Sequence, residues 1–187
     1  MSWPVPLLMT RPSVMRSLAV GVVTSVLTPR RALAGVPVKR LRVYKDATCS
    51  CCDQWAEHVR DAGWGVTMVT EPSFAAMQYR KDTLGVPAAV RSCHTGVLDI
   101  MPTRGGAARQ YVVEGRVPAA ALERLILERP NVAGLAVPAM PSGTPGMELG
   151  PGVPDAPPFT VQAFDVDGTT RVFGEYAALR LAAPGGR

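Results

Sequence analysis

The chain has 187 residues, 47% of them hydrophobic, which suits one folded domain with extra segments. Its formal charge is +5, but residues 1–34 hold Arg11, Arg16, Arg30 and Arg31 and no acid, so the remainder carries only +1. A near-neutral remainder lacks the basic footprint that DNA or RNA binding needs, which excludes nucleic acid as a partner.

Residues 1–34 read as a cleaved export signal. Arg11 and Arg16 precede an apolar run over residues 18–27, and Ala32-Leu33-Ala34 supplies a small-x-small cleavage pattern. A run of about ten residues is half of what a membrane-spanning helix needs. The mature protein is expected to begin near Gly35, in the periplasm and free of the membrane. Thiols there must be held by metal or kept reduced.

Residues 38–44 alternate and predict a strand. A helix follows over residues 48–63, with Trp55, Ala56, Val59 and Ala62 as its apolar stripe. Ser50 and Asp53 match a capping box, which sets the first helical residue at Cys51. Residues 66–69 predict a second strand, and residues 74–84 a second helix that Gly85-Val86-Pro87 breaks. Residues 93–100 and 111–117 predict two further strands, joined by a loop that contains Gly105 and Gly106. Pro118 is placed as the first residue of a helix over 119–129, with Leu122, Leu125 and Ile126 as its core stripe, and Pro130 stops it.

The order β-α-β-α-β-β-α over residues 35–130 is that of an α/β, thioredoxin-like domain, with a central sheet and flanking helices. Residues 131–158 then form a Pro/Gly-rich loop. Pro138, Pro141, Pro145, Pro151, Pro154, Pro157 and Pro158, with Gly143, Gly146, Gly150 and Gly152, leave no room for a helix or interior strand. That loop is expected to drape over the domain or to move freely. Residues 159–165 and 169–176 predict a hairpin around Asp167-Gly168. With the tail, residues 159–187 are expected to pack on the same domain.

The cysteines carry the chemistry. Cys49, Cys51 and Cys52 lie within four residues at the first strand-to-helix junction, and Cys93 stands beside His94. The positive end of a helix lowers a thiol pKa, which favours a nucleophile or a soft metal ligand. Cys49 and Cys52 have the C-x-x-C spacing of a redox disulfide. Cys51 would scramble such a bond, whereas a third thiolate helps a metal site. Three sulfurs from one turn, with Cys93 from a neighbouring strand, can surround one ion or a small cluster. Ligand softness selects Cu(I), with zinc behind it.

Other candidates are weaker. His94 joins the set only if the backbone twists at the strand's start, because neighbouring strand residues face opposite ways. His58 lies about 10 Å further along the helix and is expected in solvent. Two structural disulfides would use the even cysteine count, but short local bridges are strained. Met140 and Met147 are either soft thioether ligands or apolar anchors of the loop, while Met68 and Met77 fit core positions. Asp165 and Asp167 lack the downstream ligands of a calcium loop.

Four strings then meet in order: VYKDATCSCC over residues 43–52, SCHT over 92–95, VEGRVP over 113–118 and GLAVPAMPSGTPGME over 134–148. Together they closely resemble small exported bacterial proteins of the CopG type, which are associated with copper resistance and are distinct from the DNA-binding repressor of that name. The resemblance spans residues 38–176. It implies a thioredoxin-like fold that binds copper through Cys49, Cys51, Cys52 and Cys93, with His94, and it implies copper-linked redox activity. The chain departs from the family at Arg116, where a histidine is common, so a ligand from that position is absent. The Gly105-Gly106 region is also longer. Two functions stay open: a protein that holds or hands on Cu(I) to a periplasmic donor or acceptor, and a thiol or copper oxidoreductase served by a reductant and using Cys49 and Cys52. Cys51 and Cys93 separate them, because a redox pair needs neither.

Overall fold

The computed structural model describes residues 39–100 and 108–181. The expected export signal, Gly105-Gly106 and the last residues of the tail lie outside that range. Among the described residues no helix is long and apolar enough to cross a membrane.

Period-two alternation builds the sheet. In β1 (Arg40–Asp46), Leu41 and Val43 point to one face, and Tyr44 to the other. β1 runs parallel to β2 (Gly65–Glu71) and antiparallel to β3 (His94–Ile100), which pairs antiparallel with β4 (Arg109–Glu114). β4 runs parallel to the short β5 (Gly134–Ala136), β5 pairs antiparallel with β6 (Phe159–Phe164), and β6 with β7 (Thr170–Tyr176). One seven-stranded sheet results, in the order β2-β1-β3-β4-β5-β6-β7. The β2-β1-β3-β4 part is compatible with the thioredoxin-like arrangement that the sequence suggests.

Helices cover both faces. α1 (Ser50–Asp61) and α3 (Ala119–Glu128) bury Trp55, Ala56, Val59, Leu122, Leu125 and Ile126 against Leu41, Val43, Leu98, Val113 and Leu135. On the opposite face α2 (Phe74–Thr83) sets Met77 against Tyr44 and Val97. Met68 packs at the margin of the larger core, so both core methionines stand as expected.

Several boundaries differ from the sequence reading. α1 starts at Ser50 with Cys49 as its N-cap, and no side chain caps it. The Ser50–Asp53 capping box does not form, because with Cys49 at the N-cap Ser50 is already the first helical residue; the Asp53 carboxylate accepts from Lys45 at 2.6 Å instead. Pro118 is the N-cap of α3 and not its first helical residue, with ψ at 151°. β4 ends at Glu114, three residues early, because Gly115 turns the chain at φ +69°. A Cβ there would stand 2.7 Å from the Ser92 side chain and 2.8 Å from the Val137 carbonyl, so only glycine fits. The three-residue β5 was missed altogether: too short to show a period, it exists because β4 and β6 flank it.

The Pro/Gly-rich loop drapes. The Leu179 N–H donates to the Gly143 carbonyl at 2.7 Å, and the Leu149 N–H to the Leu179 carbonyl at 2.8 Å. Thr144 is fully buried. This fastening brings Gly146 against the start of α1 and the Pro145 carbonyl onto Arg116.

Candidate metal centre

The β1–α1 corner places three cysteines and the approach to β3 places the fourth. The Sγ atoms of Cys49, Cys51, Cys52 and Cys93 lie within 4.8 Å of one another. Cys49 and Cys52 are joined by a disulfide with a Cα–Cα distance of 5.6 Å, while Cys51 and Cys93 are free. The Cys51 sulfur stands 3.5 Å from that of Cys49. Cys52 is fully buried and the other three are partly exposed, so the cluster opens at one side.

β3 begins at His94, so Cys93 sits in the bend before the strand and escapes its alternation. Both residues can therefore turn toward α1. The Cys93 sulfur lies 3.3 Å from His94 Nδ1. The His94 ring is fully buried, 4.3 Å from the Trp55 ring between centroids, and its Nε2 has no partner. Burial, then the Lys81 and Arg116 cations, hold its pKa down to about 3. It is a neutral imidazole at any ordinary pH, the form that can donate an electron pair to a metal. The group of four mutually close ligand atoms consists of sulfurs alone, and His94 touches it through Cys93.

Trp55 ties the helix to the far end of the site, where its Nε1–H donates to the Val117 carbonyl at 2.9 Å. Lys45 donates to the Cys49 carbonyl at 3.2 Å as well as to Asp53, which fixes the corner from outside. Behind Cys93, the Lys81 ammonium donates to Glu114 and, at 2.8 Å, to the Thr95 hydroxyl. Glu114 also accepts from the Ser92 N–H at 2.5 Å and the Thr95 hydroxyl at 2.6 Å. Burial raises the Glu114 pKa and lowers that of Lys81, and each partner's charge opposes the effect on the other. This buried pair holds the strand that presents Cys93 and His94. Sequence reasoning missed it, although Lys81 lies four residues after Met77 on the same buried stripe.

Burial pushes the Cys93 thiol up, and the nearby Arg116 guanidinium draws it back toward the thiolate. Arg116 is itself buried, with one N–H on the Pro145 carbonyl at 3.2 Å.

Two expectations need correcting. His58 is not a solvated surface residue: its Nε2 accepts the Ala119 N–H at 3.3 Å, at the first turn of α3, because α1 packs against that turn. Met140 is no apolar anchor, since it is 52% exposed, whereas Met147 is half-buried.

Comparison with known proteins agrees with the cysteine geometry. Residues 90–147 match the family described as "Protein of unknown function, DUF411". No curated protein matches the chain. Among solved structures, "Copper resistance protein copG- Form 1" is 38% identical, with a TM-score of 0.60 and coverage of 76% of this chain and 99% of that one. "Copper resistance protein copG- Form 2" is 39% identical, with a TM-score of 0.59 and coverage of 73% and 97%.

Proposed function

This chain belongs to the CopG family of copper resistance proteins, and on that premise we propose that it is a periplasmic Cu(I)-binding protein whose thiolates serve copper homeostasis. The observation that carries the reading is the convergence of four sulfurs within 4.8 Å from two separate elements. A pure dithiol enzyme has no need for Cys51 and Cys93 beside its redox pair. Soft, polarisable sulfur prefers Cu(I) to harder ions. In this reading residues 1–34 are the export signal, Cys49, Cys51, Cys52 and Cys93 are the ligands, and His94 is a neutral donor at the edge.

A second reading, a copper or thiol oxidoreductase, is favoured by the Cys49–Cys52 disulfide. Two thiolates that close this bond release two electrons, enough to convert two Cu(II) to two Cu(I). Cys51 and Cys93 would remain to hold the product, and a periplasmic reductant would have to reopen the bond.

The test is anaerobic titration of the fully reduced protein with Cu(I) against a chromophoric chelator. Cys51→Ser and Cys93→Ser should each weaken binding at least about tenfold, which corresponds to roughly 1.4 kcal/mol per lost ligand. If both variants keep wild-type affinity while Cys49→Ser abolishes thiol turnover, the oxidoreductase reading stands in place of the first.

A further inference from the structure

Two lysines beside the cysteines are each paired with a carboxylate, and the arginine beside them is not. Lys45 is matched by Asp53 at the corner, and Lys81 by Glu114 behind Cys93. Arg116 has no carboxylate partner among the described residues. Its side chain is 1% exposed, only Nη1 finds an acceptor, and Nε and Nη2 have none. A guanidinium stays protonated in a protein, and an uncompensated buried cation is costly. Something anionic must therefore complete its surroundings.

Glu148, in the Pro/Gly-rich loop, is no direct partner, since its carboxylate accepts the Gly146 N–H at 2.7 Å, which leaves the sulfurs as the groups able to do so. Arg116 is wedged beside the cluster: a Cβ built on Gly146 would stand 3.1 Å from its Nη1 and 3.1 Å from the Cys51 carbonyl. Its charge bears on Cys93 and on His94, and His94 is neutral. A metal held by thiolates supplies the missing negative charge to a degree that depends on the ion. For the same set of thiolates, a Cu(I) assembly carries one more negative charge than a zinc(II) assembly. A fixed cation in a low-dielectric pocket rewards that extra charge.

We propose that Arg116 is a specificity-determining residue: it is the built-in counter-charge of an anionic metal–thiolate assembly, and it tilts the site toward a monovalent over a divalent soft ion. The assignment rests on the thiolate-centre reading above and adds to it a residue that is not a ligand.

The experiment measures Cu(I) and zinc(II) affinity separately, by chelator competition on reduced, metal-free protein, for wild type, R116M, R116Q and R116K. R116M and R116Q should lose about tenfold in Cu(I) affinity and about fivefold in zinc affinity, because loading four thiols with release of their protons leaves a site charge of about −3 with Cu(I) and about −2 with zinc. R116K should fall between wild type and R116M in Cu(I) affinity, because a lysine can carry the charge there but gives it up to burial more readily than arginine. Thermal unfolding of the apo proteins is the control: with an unpaired charge removed, R116M should unfold no earlier than wild type. Equal weakening of both metals, unchanged Cu(I) affinity, or loss of Cu(I) affinity only in step with apo stability would each overturn the assignment. A wild-type protein that takes up no Cu(I) would instead overturn the thiolate centre itself.

Discussion

His94 shows how much one buried ring can bear on stability. Its folded pKa, about 3, lies below the ordinary 6.5 because burial disfavours the charged ring and the Lys81 and Arg116 cations repel it. Between those values the unfolded chain binds a proton that the folded chain refuses. Stability is therefore full above pH 6.5 and falls as pH drops toward 3, by up to about 1.4 kcal/mol per unit for one proton. His58, also lowered by burial, adds in the same direction. We expect His94→Phe to flatten the loss between pH 6.5 and 5, with the His58 part left in place. Denaturant unfolding of the apo protein at both pH values checks this, and identical slopes for variant and wild type would exclude it.

The elements meet at one crowded point, where the Pro/Gly-rich loop touches the first turn of α1. Gly146 sits there at φ +78°, and a Cβ would be 2.8 Å from the Trp55 backbone nitrogen and 3.1 Å from both Arg116 Nη1 and the Cys51 carbonyl. Two of those atoms are backbone and cannot swing aside. Gly146→Ala is expected to cost about 1–3 kcal/mol, from overpacking and from a left-handed conformation that alanine resists. It should also raise the reactivity of Cys51 toward a thiol reagent, as the loop lifts from the helix. A variant with wild-type midpoint and wild-type labelling rate would show that the loop yields freely.

At the scale of the whole molecule, the C-terminal hairpin is part of the sheet. β6 covers the edge of β5 and buries Phe159, Val161, Ala163 and Phe164. Without it Leu135 and Ala136 would face water beside an open strand edge. A chain ending at residue 158 should lose cooperative unfolding, since deleting even one buried phenylalanine costs about 3–5 kcal/mol. Circular dichroism during thermal unfolding is the measurement, and a sharp transition near the wild-type midpoint would make the hairpin dispensable.

The sequence by itself determined what depends on neighbours along the chain. Alternation gave the long strands, the Trp55–Val59 stripe gave α1, and the tight spacing of Cys49, Cys51 and Cys52 at a strand-to-helix junction marked the site. The Asp-Gly turn gave the hairpin. Tertiary structure alone decided what depends on atoms far apart in the chain. β5 exists only between β4 and β6. α1 began one residue earlier than its capping box, which left Asp53 to pair with Lys45, and the pairing of Lys81 with Glu114, 33 positions apart, stiffened the strand behind Cys93. Arg116 looked like a lost ligand in sequence. Only packing, which buries its charge without a carboxylate beside sulfurs from another element, turned it into part of the site.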